Sequence, residues 1–223
     1  MEHDNYFDKN TVYRLYRTVE ELITPSISKK NISNYEIVFS DDLLPVRVFY
    51  PNKVSNIEKV IIFIPGMNKS SKYKYTSIFN KLSLEVDTTI IAIDYYSVEN
   101  EVENNISNIV DYLYKELLRI GISKDNIILM SDSEGSNYSV NINNSINKEV
   151  LLYPLVDDKE ITIKRKRLII NGELDSTKDI GKNLSEKIDN CTYTLIENAT
   201  SGFLTSTDYD IIKDYIKEIK DFI

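Results

Sequence analysis

Ser133 and Asp175 are the residues whose types and surroundings could support acyl chemistry, and the base that such chemistry needs is missing from its place. Asp132-Ser133-Glu134-Gly135 follows the apolar run 127–130 and precedes a helical pattern, so Ser133 falls where a strand must turn sharply into a helix. A serine hydroxyl held on such a turn is the setting of a nucleophile, and it needs an adjacent base to take its proton. Asp175, shortly after Gly172, stands where the acid that orients that base would be. The base belongs near Ser201-Gly202-Phe203, yet a serine stands there, and the only histidine of the 223 residues is His3. The substitutes are poor. A hydroxyl is no base at neutral pH, and a carboxylate such as Asp175, with a pKa of about 4, matches an alcohol badly. Lys178 would need a strongly depressed pKa, and nothing in the sequence fixes His3 near a site.

Positioning these residues requires strands that end where the chemistry begins. Continuous apolar runs at 60–64, 88–93, 127–130, 150–153, 168–170 and 193–196 predict strands covered on both faces. Residues 35–39 and 46–50 predict a hairpin around Asp41-Asp42. Between the strands lie helical patterns. The clearest is Val102, Ile106, Ile109, Val110, Leu113 and Leu117, closed by Gly121 at the position after the last turn. The stripe Ile211, Ile212, Tyr215, Ile216, Ile219 and Ile223 predicts a last helix packed on the sheet. Residues 10–24 carry an amphipathic pattern stopped by Pro25, so that 1–34 forms an N-terminal helical segment, read first as a helix packed against the sheet and second as a lid. This alternation implies one α/β domain over 1–223, a mostly parallel sheet flanked by helices. In such sheets ligands bind beyond the C-terminal strand ends, where Gly66, Ser133, Asp175 and Ser201 all fall.

Composition excludes several classes. With 42% hydrophobic and 28% charged residues, the chain reads as an ordinary globular domain. A net charge of −8 argues against binding to nucleic acid or to anionic membranes. No run approaches the roughly 20 apolar residues of a membrane span. The N-terminus has no apolar signal segment, and Cys191 stands alone, so a cytoplasmic location is expected. No metal-ligand spacing and no Gly-rich phosphate loop is present, so neither metal nor cofactor is expected. Lys164-Arg165-Lys166-Arg167 reads as a solvated lead-in to a strand rather than as a nuclear signal or phosphate patch.

The ordered motifs resemble the α/β-hydrolases, nearest the hormone-sensitive-lipase-like esterases. Asp132-Ser133-Glu134-Gly135-Ser136 resembles that branch's Gly-Asp-Ser-Ala-Gly-Gly elbow, with Ser131 in place of the first glycine. Asp94-Tyr95 resembles the start of its Asp-Tyr-Arg motif, and residues 45–51 its early Pro-Val-Arg-Val strand. Pro65-Gly66-Met67-Asn68 stands where the family has His-Gly-Gly-Gly, which implies oxyanion donors around Gly66, Met67 and Glu134 in a narrower, more negative pocket. Gly172-Glu173-Leu174-Asp175 resembles the segment bearing the acid, and Ser201-Gly202-Phe203 the turn bearing the histidine. The connection 154–167 is too short for the cap that relatives insert there.

The resemblance implies a triad of Ser133 and Asp175 with Ser201 in the histidine's position. Loss of the base from a comparable triad costs about 10⁶ in turnover. Two readings follow. The preferred one is a catalytically impaired, esterase-like fold that binds a small apolar ligand or a protein partner, as in the plant hormone receptor of this branch that lost its triad histidine. The other is a weak or altered carboxylesterase acting on small acyl esters through Ser133. Asp175 also has a plain alternative, that of capping the helix that follows it.

Overall fold

Strands rich in Ile, Val, Leu and Phe, interrupted by few polar residues, can only be stable with cover on both sides, and the fold supplies it. The computed structural model describes residues 32–39, 42–51, 57–66, 76–93, 102–157, 161–200 and 209–223. Among these, one sheet holds eight strands: β1 (Ile32–Phe39), β2 (Asp42–Phe49), β3 (Val60–Ile64), β4 (Thr89–Ile93), β5 (Ile127–Asp132), β6 (Lys148–Leu152), β7 (Lys166–Gly172) and β8 (Cys191–Ile196). Their lateral order is β1-β2-β4-β3-β5-β6-β7-β8. Strands β3 to β8 run parallel, while β2 is antiparallel to both β1 and β4. Every residue of β3, β4 and β5 is buried, as continuous apolar runs require.

Among the described residues five α-helices cover the sheet: α1 (Thr76–Val86), α2 (Val102–Arg119), α3 (Gly135–Ser139), α4 (Lys178–Lys187) and α5 (Tyr209–Phe222). Alternate strand residues sort into two layers. Phe63, Ile90, Met130, Leu152 and Ile170 face α1 and α5. Ile62, Ile91 and Leu129 face the apolar stripe of α2. Leu151 and Ile169 meet Leu184 of α4 on that second side. Helix α2 ends as its sequence implies: Gly121 takes φ +99°, and the amides of Gly121 and Ile122 donate to the carbonyls of Leu118 and Leu117. The far end of α5 is tied to the sheet, because the Ile223 carbonyl accepts from Lys148 Nζ at 2.9 Å and Lys59 Nζ at 3.2 Å. Lysines suit the negative end of a helix dipole.

The connection from β6 to β7 inserts no cap, and its Val156 and Ile161 pack onto the α4 side of the sheet. The N-terminal helix at 10–24, with the lid role given to 1–34, lies outside the described residues, apart from 32–34, which belong to β1. Asp94-Tyr95 is outside them too.

The basic run departs from its reading as a solvated lead-in. Lys164 and Lys166 are exposed, but Arg165 and Arg167 are buried. Arg167 Nε donates to Glu149 Oε2 at 2.7 Å, and Arg165 Nη1 stands 3.6 Å from Glu149 Oε1. The guanidinium groups also donate to the carbonyls of Ser139, Val140, Ile142 and Ile163. Burial lowers the Arg165 pKa from its usual range, and Glu149 opposes that shift. This buried Arg-Glu-Arg cluster clamps the segment after α3 onto β6 and β7.

Candidate active site

Strand β5 ends at Asp132 and α3 begins at Gly135, so Ser133 and Glu134 alone make the turn. Ser133 takes φ +48°, the left-handed region that a side chain enters at a cost of about 1–2 kcal/mol. Backbone bonds hold it there. Ser133 N donates to Leu152 O at 3.0 Å, and Leu155 N donates to Ser133 O at 3.0 Å. Gly135 lets α3 approach the end of β3, since a Cβ there would fall 2.5 Å from Ile64 O and 2.8 Å from Pro65 O. Behind the turn, the buried hydroxyls of Ser131, Ser136 and Ser139 join: Ser131 Oγ lies 3.1 Å from Ser136 Oγ and 2.8 Å from Ser139 Oγ. Small residues at 131 and 136 are what permit this closeness.

Asp132, fully buried, ties three strand ends together. Its Oδ1 accepts from Gly66 N at 2.6 Å, after β3, and its Oδ2 accepts from Tyr153 OH at 2.7 Å, after β6. Burial, then the Asp132 carboxylate, hold the Tyr215 phenol of α5 well above its usual range. Sequence reasoning placed no role on Asp132; the signal was a carboxylate ending a strand otherwise free of charge. Asp132→Ala removes both acceptors at once and is expected to destabilise the fold by about 3 kcal/mol, because hydrogen bonds to charged groups are worth roughly 1.5–3 kcal/mol each. Asp132→Asn should lose much less: its Oδ1 can still accept from Gly66 while its amide donates to the Tyr153 oxygen. Urea unfolding of the two variants checks the ranking, and equal losses would contradict it.

Gly66 and Glu134 meet Ser133 directly. Ser133 Oγ donates to Glu134 Oε2 at 2.7 Å. A Cβ at Gly66 would lie 2.7 Å from Glu134 Oε2 and 3.1 Å from Ser133 Cβ, so glycine at 66 leaves the room that the carboxylate occupies. The Gly66 amide is given to Asp132, so the contribution of Gly66 at Ser133 is its missing side chain. Met67 and Asn68 lie outside the described residues.

Asp175 is buried one turn beyond β7, and its carboxylate serves its own neighbourhood. Oδ1 accepts from Thr177 N and Thr177 Oγ1, each at 2.9 Å, and Oδ2 accepts from Asn171 Nδ2 at 3.0 Å. This is the local bonding of a residue that shapes the turn into α4. In the sheet, β5 and β7 are separated by β6, so Ser133 and the Asp175 turn arise from strands roughly 10 Å apart. Ser201 lies outside the described residues, but the chain leading to it is fixed: Leu174 N donates to Ala199 O at 2.8 Å, and a Cβ at Gly172 would fall 2.2 Å from that same oxygen. Thr200 therefore sits against the Asp175 turn.

Lys178 Nζ donates to the Glu173 carbonyl at 2.7 Å. Burial pushes the Cys191 thiol up to about 11, far from a reactive thiolate. Among the described residues no group of three or more His, Cys, Asp or Glu could hold a metal, and no helix is long and apolar enough to cross a membrane.

The sequence matches no protein-family model and no curated protein. Solved structures match throughout. An arylesterase aligns at TM-score 0.69 over 98% of this chain and 94% of its own, with 15% identity. The Francisella virulence factor BioJ aligns at 0.73 over 96% and 90%, with 18% identity. Carboxyl esterase 2 from the mycorrhizal fungus Tuber melanosporum aligns at 0.71 over 88% and 86%, with 14% identity. At such identities the likeness shows the fold: this chain has the α/β-hydrolase fold, without an inserted cap.

Proposed function

We propose that this chain is an esterase-like protein with a degenerate triad, impaired in turnover, whose site holds a small ligand. Ser133 stands in the nucleophile's position, Asp175 in the acid's, and Ser201 in the histidine's. On the same reading Gly66, Met67 and Glu134 are assigned to the oxyanion site. The ligand class is a small acyl ester or other small apolar molecule, handled in the cytoplasm without nucleic acid. One observation carries this reading: Ser133 Oγ gives its hydrogen to a carboxylate, while the Asp175 carboxylate is engaged on both oxygens with its own turn. The structural neighbours include an arylesterase and a carboxyl esterase, which supports the substrate class.

A fluorophosphonate probe and short p-nitrophenyl esters test it at neutral pH. Labelling at Ser133 is expected to be slow, and turnover to lie orders of magnitude below that of a complete triad. Rapid stoichiometric labelling would overturn the impairment. The same Ser133–Glu134 contact favours the second reading, residual ester cleavage through Ser133, in which slow labelling reflects slow chemistry.

A further inference from the structure

We propose that Glu134 is the proton acceptor of Ser133, serving in place of the absent histidine for whatever acyl transfer the site retains. This rests on the reading of Ser133 as a nucleophile. The geometry is direct. The Oγ to Oε2 distance of 2.7 Å is that of a charge-assisted hydrogen bond, and an ionised carboxylate can only accept, so the hydroxyl hydrogen points at Glu134. The backbone of Glu134 is fixed at φ −62°, ψ −25° in the two-residue turn, so its side chain starts from a set position beside Ser133. Its carboxylate lies over Gly66, where any larger residue would drive it away. The rival carboxylates are committed elsewhere: Asp132 accepts from Gly66 and Tyr153, and Asp175 from Thr177 and Asn171.

In the forward step the Ser133 O–H bond breaks, its proton passes to Glu134 Oε2, and the oxygen pair forms a bond to the acyl carbon. The carbonyl π pair moves to its oxygen. Collapse of that tetrahedral species expels the alkoxide, which takes the proton from Glu134 and leaves as the alcohol. Water then attacks the acyl carbon and loses a proton to Glu134, which returns it to Ser133 Oγ as the acid departs. Ester and water give acid and alcohol, with nothing else consumed. A positioned general base contributes about 10²–10⁴-fold, and the weak basicity of a carboxylate puts Glu134 at or below the bottom of that range.

The test follows fluorophosphonate labelling in the full-length protein, its Ser133→Ala control, and two variants. Here Ser133 Oγ forms a bond to phosphorus as the phosphorus–fluorine bond breaks, fluoride leaves, and Glu134 takes the hydroxyl proton. Glu134→Gln keeps the shape and the acceptor oxygen but cannot take a proton, whereas Glu134→Ala removes the carboxylate and opens its space. Both are expected to label about 10–100-fold more slowly than the parent. Added formate is expected to accelerate Glu134→Ala and to leave Ser133→Ala unlabelled. A Glu134→Gln rate equal to the parent's overturns the proposal. So does either variant labelling faster, which would make Glu134 an obstruction, and so does slow Glu134→Ala without formate rescue, which would make its role one of shape. A parent protein that never labels at Ser133 sinks the esterase reading itself, and Glu134's role falls with it. Labelling that ignores Glu134→Gln removes only Glu134.

Discussion

Ser201→His is expected to raise hydrolysis of p-nitrophenyl acetate about 100-fold over the parent, equivalent to about 2.7 kcal/mol of recovered transition-state stabilisation. The expectation rests on where the chain is held just before that position. The Leu174 amide binds the Ala199 carbonyl at 2.8 Å, which sets Thr200 against the turn that carries Asp175. Among the described residues Asp175 Oδ2 receives only the Asn171 amide, so it keeps an acceptor site for an imidazole N–H. The gain stops well short of a complete triad, because Glu134 competes for the Ser133 hydrogen and adds negative charge where an oxyanion would form. Steady-state kinetics on the folded variant decides the matter. An unchanged kcat/KM would mean that Asp175 belongs to its own turn alone and that the triad has no remaining geometry to restore.

Glu149→Ala should be the most damaging single substitution outside that site. It leaves the Arg165 and Arg167 guanidinium groups buried without their counter-charge, and breaking a buried pair from one side costs about 3–5 kcal/mol. Glu149→Gln should lose less, since its amide oxygen can still accept from Arg167 Nε. The midpoint of urea unfolding reads both. A loss below about 1 kcal/mol for alanine, the range of surface pairs, would show that the carbonyls of Ser139, Val140, Ile142 and Ile163 suffice to hold the two cations.

The basic cluster also shows where sequence reading stops. The strands were legible because buried parallel strands must be continuously apolar, and α2 and α5 because their stripes repeat at helical spacing. The turn at Ser133 was legible from its small neighbours, Ser131 and Gly135, in order between strand and helix. Charge alone reads Lys164-Arg165-Lys166-Arg167 as solvated, whereas sides alternate from Lys166 into β7 and the two residues before it keep the same order, with both lysines exposed and both arginines buried. The alternation of Lys with Arg was the available signal, since Arg is the cation suited to buried pairing. Its partner, Glu149, comes from the neighbouring strand, and no local spacing reveals it. Glu134 was legible as a charge beside Ser133, but the direction of its side chain was not, because that depends on the gap left by Gly66 on another strand. The alternative that Asp175 caps the following helix does not match the bonding: the cap position of α4 is Thr177, and Asp175 accepts from Thr177 in the turn before the helix.

The strand order carries a kinetic consequence. Val60 lies opposite Ile127, although α1, β4 and α2 intervene between those two strands in sequence. Closing such non-local, parallel contacts is entropically slow. Meanwhile the runs of β3 and β5, apolar and free of charge until Asp132, stand ready to pair with other chains instead. Refolding yield should therefore fall as protein concentration rises, a competition between intramolecular closure and intermolecular capture. The two strands at risk are the ones that deliver Gly66 and Ser133.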